Sequence, residues 1–299
     1  MRHISRIFFV LIFTALSMQA EGANDTLKKI KQTGVITISY REASIPFSYL
    51  DEQKKPIGYT IDLCMRLTEA IRTALELPKL QINWIPAKSV PVAITYITEN
   101  KADLECGSTT NTKVRRDVVT FTMPIYIAGI KIMSHKSLAA NDMHQLSNKK
   151  VAANIGTTAA KLVEATNQMK LSAATLVETK DHNDAFQKLE SGQVDAWLTD
   201  DVLLYSYRAA ARTPEDFVIS NRFLTSEPYG IMFQKDDAAM KKILNGELFR
   251  LINTGEFNKI YAKWFESPIP PKNISIGLKM NLLLKTYMSA PSEDLPANY

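Results

Sequence analysis

The run Glu105-Cys-Gly-Ser-Thr-Thr-Asn-Thr-Lys-Val-Arg115 gathers groups suited to holding an anion. Ala102–Cys106 reads as a strand ending in a glycine turn, which leaves backbone N–H groups free. Ser108, Thr109 and Thr110 set hydroxyls beside them, and Arg115 adds a planar fork of donors that meets a carboxylate at two points. No nucleophile stands next to a base in this stretch, so the chemistry indicated is binding. A second donor group is Gly156-Thr157-Thr158, where a helix opens and its N-terminus favours negative charge. Asp200 follows a predicted strand at Asp195–Thr199, and Arg41 ends the first predicted strand. Each has a plainer reading. Thr157 and Thr158 suit helix capping, Asp200 or Asp201 suits capping of Val202–Ala211, and Arg41 and Arg115 suit surface pairing with Glu42 and Asp117.

The elements that must position these residues alternate between strand and helix. Val35–Tyr40, Leu80–Ile85 and Ala102–Cys106 read as strands, separated by helical patterns at Tyr59–Leu75 and Val92–Thr98. A second set follows: strands at Lys150–Ile155, Thr175–Thr179 and Asp195–Thr199, with helices from Gly156 to Met169, at Asp184–Ser191 and at Val202–Ala211. This βαβ rhythm predicts an α/β fold in two lobes, each with parallel strands and helical crossovers. Two β-rich runs, Val118–Ser134 and Arg222–Gln234, bracket the second set and are the natural crossovers if lobe two is inserted into lobe one. Helices at Ala238–Asn253 and Glu256–Phe265 then return to lobe one. The expected division is residues 24–127 plus 226–299 for the first lobe and 128–225 for the second.

Residues 1–23 read as a signal peptide. Arg2 and Arg6 form a basic start, Ile7–Leu16 an apolar run, and Ser17–Ala23 a tail of small and polar residues. The apolar run is shorter than the roughly 20 residues that span a bilayer. Across the chain 36 Lys+Arg face 31 Asp+Glu with no basic block, which argues against nucleic-acid binding. No His or Cys pair has zinc-ligand spacing, and no metal or cofactor motif appears. Cys64 and Cys106 are too few for a disulfide framework, and sequence leaves open whether they meet.

With these residues laid out, the chain resembles the periplasmic solute-binding proteins of polar amino-acid uptake systems, in particular the glutamate/aspartate-binding type. The matching pieces are TLKKIKQTGVITISYREASIPFSY, GYTIDLC, ECGSTTN with Arg115, Gly156–Thr158, KDHNDAF, LESGQVDAWLTDDVLL and SPIPPKN, in order from Thr26 to Asn273. The resemblance implies the type II periplasmic-binding-protein fold, two lobes joined by two crossover strands that close on a ligand. It implies a monomeric, non-catalytic periplasmic carrier that hands an amino acid to an ABC transporter permease. It assigns Ser108, Thr110, Arg115 and Thr158 to the α-carboxylate and Asp200 to the α-ammonium. Arg41 is assigned to a side-chain carboxylate, with Ser89 and His182 assisting and Phe47 and Tyr126 as an apolar wall. One departure stands out: the pattern carries an arginine three residues after the serine matching Ser89, and this chain has Val92; either Lys88, a neighbouring cation, compensates, or the chain binds a different amino acid. The alternative of a different class is a dehydratase-like enzyme on the same fold, for which His182 is the one histidine near the predicted cleft available as a general acid.

Overall fold

The computed structural model describes residues 26–293; the predicted signal peptide lies outside them. Val35–Tyr40 is β-branched at its first four positions and forms the second strand of a five-stranded sheet. Its order is Gln81–Pro86, Val35–Tyr40, Leu104–Cys106, Met232–Phe233 and Thr120–Phe121. The first three strands are parallel, and Met232–Phe233 runs antiparallel to both its neighbours. The register sets Ser39 beside Glu105 and Tyr40 beside Cys106, so Arg41 and Gly107 leave the sheet side by side at its carboxyl edge. Ligands of open α/β sheets bind outside that edge.

The second sheet has the same plan: Thr175–Thr179, Lys150–Asn154, Ala196–Asp200, Ile130–His135 and Phe217–Ile219. Period-two alternation divides its side chains between two cores. Ile130, Ile132, Val151, Ala153 and Leu198 face one layer with Val163, while Met133, Ala152 and Trp197 face the other with Phe186, Tyr207 and Phe217. Asp200 and Asn154 end adjacent parallel strands of this sheet at its carboxyl edge.

Val118–Ser134, one continuous β-rich run in the sequence, is divided among three sheets: Thr120–Phe121, Tyr126–Ala128 and Ile130–His135. Met123 and Pro124 intervene, and the Met123 N–H donates to Asn245 Oδ1 (2.9 Å) instead of to a strand. Tyr126–Ala128 pairs antiparallel with Glu227–Tyr229, and this two-stranded ribbon carries the chain between the sheets. At one end Tyr126 and Tyr229 enter an aromatic cluster with Phe47, Tyr59 and Phe265. Phe47 is fully buried there and is a core residue, as is Tyr126, 2 % exposed. At the other end Gly129 is tightly enclosed: a Cβ there would lie 2.5 Å from Phe223 Cδ1 and 2.6 Å from the Thr225 carbonyl. Asp201 holds the same point, donating its N–H to Gly129 O (2.9 Å) and accepting the Gly129 N–H on Oδ1 (3.3 Å).

Cys64, on the helix Tyr59–Ala74, and Cys106, at the end of Leu104–Cys106, form a disulfide. Both are fully buried. The predicted final helix Glu256–Phe265 is α-helical over Glu256–Tyr261 and continues as a π turn through Ala262–Glu266. Beyond Pro270, a helix at Leu282–Ser289 docks on the ribbon, where Asn281 Nδ2 donates to Ile127 O (2.8 Å). No helix among the described residues is long and apolar enough to cross a membrane.

Candidate ligand-binding site

Glu105, on the strand Leu104–Cys106, is fully buried and directed at two arginines. Gly107 lets them approach, since a Cβ there would stand 2.2 Å from Glu105 Oε1 and 2.8 Å from Arg41 Cγ. Burial lifts the Glu105 carboxyl to about 6, opposed by the nearby charges of Arg41 and Arg115. Thr109 and the Gly107 amide lie alongside it, but neither makes a well-formed hydrogen bond to its oxygens.

After the turn, Ser108 is half-buried and Thr110 is buried, bridged to Tyr229. Thr112 caps the short helix Lys113–Arg116 by accepting the Arg115 N–H (3.3 Å). That cap turns the Arg115 side chain inward, where it is 6 % exposed, so it does not pair with Asp117 at the surface. Arg115 Nη1 donates to Thr110 O (2.7 Å), and Nη2 crosses to the other lobe to reach Gly156 O (3.3 Å). The helix Thr158–Gln168 is capped by Thr157, whose Oγ1 accepts from Ala160 N (3.2 Å). Thr158 is therefore the first residue inside the helix, with its hydroxyl outside the cap. Arg115 thus ties Thr110 to Gly156, two residues before Thr158, from opposite lobes.

Asp200 also reaches this point. Its Oδ2 accepts from the Tyr229 hydroxyl (2.5 Å), and it is 7 % exposed. It does not cap the following helix with its side chain. Its neighbour Asp201 is engaged by Gly129, which separates the two aspartates that sequence alone left competing. Burial and the charge of Glu227 push the Asp200 carboxyl well above its ordinary range. Glu227 is 4 % exposed, and Thr225 Oγ1 donates to its Oε1 (2.6 Å).

Arg41 and His182 line a neighbouring cavity of about 220 Å³, shared with Lys88, Lys180 and Asp181. Arg41 is 6 % exposed and its backbone is fixed by Ser48, whose Oγ accepts the Arg41 N–H (2.9 Å). Burial works against its charge, while Glu105 and Asp181 favour it. The charges acting on Arg41 are Glu105 and Asp181, so the expected surface pairing with Glu42 is replaced by buried partners. The Asn154 amide nitrogen faces two acceptors, Thr179 Oγ1 (2.6 Å) and Asp181 O (3.1 Å), so its oxygen faces the His182 N–H (3.2 Å) and Nδ1 (2.9 Å). His182 therefore carries its proton on Nδ1 and presents a lone pair at Nε2. Burial, then Arg41, lower its pKa to about 3, so the ring is neutral. Ser89 caps the helix Val90–Thr98, accepting the Val92 N–H (3.4 Å). Val92 is half-buried against Ala87, Ala93 and Ile97.

A larger cavity of about 380 Å³ lies on the other side of the Arg41–Ser44 segment, between Tyr49, Phe186, Tyr207 and Pro270. Its charged groups, Glu42, Glu190, Arg212 and Lys272, balance one another, and none of the converging residues above lines it. Of the predicted site residues, Arg41 and His182 line the smaller cavity, while Ser89, Ser108, Thr110, Arg115, Thr158 and Asp200 do not; Glu105, acted on by both Arg41 and Arg115, links it to the Arg115–Asp200 cluster and makes it the better candidate site. Glu227, Tyr229 and Asn154 belong to its surroundings and were not read from the sequence. A carboxylate within the β-rich run Arg222–Gln234 is the signal that points to Glu227.

Comparison with known proteins bears on the family and the fold. The chain matches the bacterial extracellular solute-binding proteins, family 3, over residues 36–267. It is 40 % identical over 275 residues to the L-glutamate/L-aspartate-binding protein of Pseudomonas aeruginosa, covering 92 % of this chain and 91 % of that one. It is 35 % identical over 274 residues to the glutamate/aspartate import solute-binding protein of Escherichia coli, covering 92 % and 90 %. Among solved structures, a mutant of ArgBP from T. maritima superposes with a TM-score of 0.71 at 26 % identity, covering 80 % of this chain and 98 % of that one. An ancestral amino-acid-binding protein, a precursor of cyclohexadienyl dehydratase, gives 0.68 at 26 % identity, covering 80 % and 99 %. Two sheets of matching strand order, a ribbon between them and charged groups converging at their carboxyl edges are thus found where the family match runs, and the chain belongs to the bacterial extracellular solute-binding proteins, family 3.

Proposed function

We propose that the protein captures an acidic amino acid, glutamate or aspartate, by lobe closure in the periplasm and delivers it as a monomer to an ABC transporter permease. The lobes are residues 24–127 plus 226–299 and residues 128–225. The observation that carries the ligand assignment is Arg41: a buried guanidinium facing a cavity, whose strongest charged partner, Glu105, is shared with Arg115. A buried cation is costly without a full counter-charge, and a second ligand carboxylate supplies one. Ser108, Thr110, Arg115 and Thr158 take the α-carboxylate, and Asp200 takes the α-ammonium. Ser89 borders the side-chain end. Lys88 and Lys180 line the same cavity and supply positive charge where Val92 has none. The names of the two curated relatives support the same ligand class.

A carrier is favoured over a dehydratase. His182 is neutral, and its one N–H is committed to Asn154, which leaves no proton to donate to a leaving group. Calorimetric titration is expected to give a Kd near micromolar for L-glutamate or L-aspartate, about −8 kcal/mol. Heat with neutral or basic amino acids but none with either acid would overturn the ligand class. Formation of phenylpyruvate from prephenate would overturn the carrier reading.

Closure has a contact of its own to test. Gly156 has φ +72° and fits against Pro91 of the other lobe, where a Cβ would lie 2.5 Å from Cγ. Alanine at 156 is expected to raise Kd at least ~10-fold, since both the left-handed backbone and the contact disfavour a side chain. Unchanged affinity in the same titration would show that closure does not use this contact.

A further inference from the structure

Two buried carboxylates meet beside the Arg115 guanidinium, and one of them has no part in the scheme above. Asp200 arrives on the last strand position of Ala196–Asp200, and Glu227 arrives on the ribbon strand Glu227–Tyr229. Both are more than nine-tenths buried. Each has one oxygen engaged, Asp200 Oδ2 by the Tyr229 hydroxyl and Glu227 Oε1 by Thr225 Oγ1. Asp200 Oδ1 and Glu227 Oε2 are buried with no hydrogen-bond partner. The charges facing the pair are Arg115 from the helix Lys113–Arg116, Glu105 behind Arg115, and Asp201 on the same turn as Asp200. Lys131 lies against Asp201, and Arg41 lies beyond Glu105. Within the inner group, Arg41 and Arg115 oppose Glu105, Asp200 and Glu227, so the carboxylates exceed the guanidiniums by one.

We propose that Asp200 keeps a proton in the unliganded protein because Glu227 lies beside it, and that the α-ammonium of the bound amino acid displaces that proton to solvent. The proposal rests on the amino-acid reading above. Tyr229, which bonds Asp200, and Glu227 lie two residues apart on one face of the ribbon strand, and a buried carboxyl beside a second carboxylate is held in its protonated form. Burial and the Glu227 charge raise Asp200 in the same sense. An ammonium placed against the free Asp200 Oδ1 gives that oxygen a donor and supplies the missing cation, so the proton leaves. Arg41, Lys88 and Lys180 at the cavity offset the ligand's second carboxylate. Glu227 is thereby a positioning residue, acting on ligand capture through Asp200.

The test is titration calorimetry with L-glutamate at pH 6 in buffers of low and high ionisation enthalpy, which reads proton release directly. Release of about one proton per ligand is expected, with Kd tightening up to ~10-fold per pH unit below the pair's pKa and levelling above it. Glu227→Gln leaves Asp200 ionised, so release should fall towards zero and the pH profile should flatten. Buffer-independent heat, or proton uptake, in the unsubstituted protein would overturn the proposal while leaving the amino-acid reading intact. Undiminished release in Glu227→Gln would assign the proton to Glu105 and overturn it equally. Should Glu227→Gln fail to fold, the pH profile of the unsubstituted protein decides, and a flat one overturns the pair. Heat with neutral or basic amino acids alone would sink the acidic-ligand reading, and the same buffer comparison would then be made with the amino acid that binds.

Discussion

Replacing Arg41 with alanine will weaken binding of an acidic amino acid by at least ~100-fold, about 3 kcal/mol, and will abolish the preference for a second carboxylate. The size follows from what is left behind. The ligand carboxylate would enter a closed cavity without its guanidinium partner, and truncating one member of a buried charge pair leaves the other uncompensated. Glu105 also loses the larger of its two charge partners, so its carboxyl will rise further above about 6. Arg41→Lys keeps the charge but not the two-point fork and should fall between. Phe47→Leu is the control: Phe47 sits in the aromatic core and not at the cavity, so its loss should lower stability while keeping the preference. Calorimetry of the three variants against glutamate and a neutral amino acid decides the point. Equal loss of preference in Arg41→Ala and Phe47→Leu would mean that Arg41 is not the reader.

Removing the Cys64–Cys106 disulfide should cost about 4 kcal/mol of stability, by the chain-entropy account for a loop closed across a sequence separation of 42. For a chain of this size that corresponds to a fall in Tm of about 10 °C. The bond ties the helix Tyr59–Ala74 to the strand carrying Glu105, one residue before the turn that supplies Ser108 and Thr110. Denaturant melts of the Cys64→Ala/Cys106→Ala protein and of the reduced protein should agree. A shift below ~1 kcal/mol would show that the bond adds little beyond the packing of two buried side chains.

The fold was largely legible because strand and helix periods alternate cleanly along the chain. Lys150–Asn154, Thr175–Thr179 and Ala238–Asn253 lie where the pattern placed them. Val118–Ser134 was less legible, because β-branched composition reports extended backbone without saying which sheet each segment joins. At the site, residue types gave candidates, but partners decided among them. Capping chemistry could not separate Thr157 from Thr158, or Asp200 from Asp201, until Ala160 and Gly129 were seen to engage one member of each pair. Arg41 and Arg115 had surface readings that burial removed. Glu227 lies far from Asp200 in sequence, and only the ribbon brings them together. The two cysteines, left open by spacing, meet because the helix Tyr59–Ala74 packs against the strand Leu104–Cys106.

The two ends of the Tyr126–Ala128/Glu227–Tyr229 ribbon are held differently, and this sets where a hinge can bend. Tyr126 and Tyr229 are clamped among the rings of Phe47, Tyr59 and Phe265, so that end moves with the first sheet. At Gly129 the hold is a few backbone hydrogen bonds and the edges of Phe223 and Thr225. The fulcrum is therefore off-centre, close to the second sheet. On the closure proposed above, the second lobe is a door hung on a jamb built into the first, and its latch is the Gly156 carbonyl, which meets Arg115 of the first sheet's lobe.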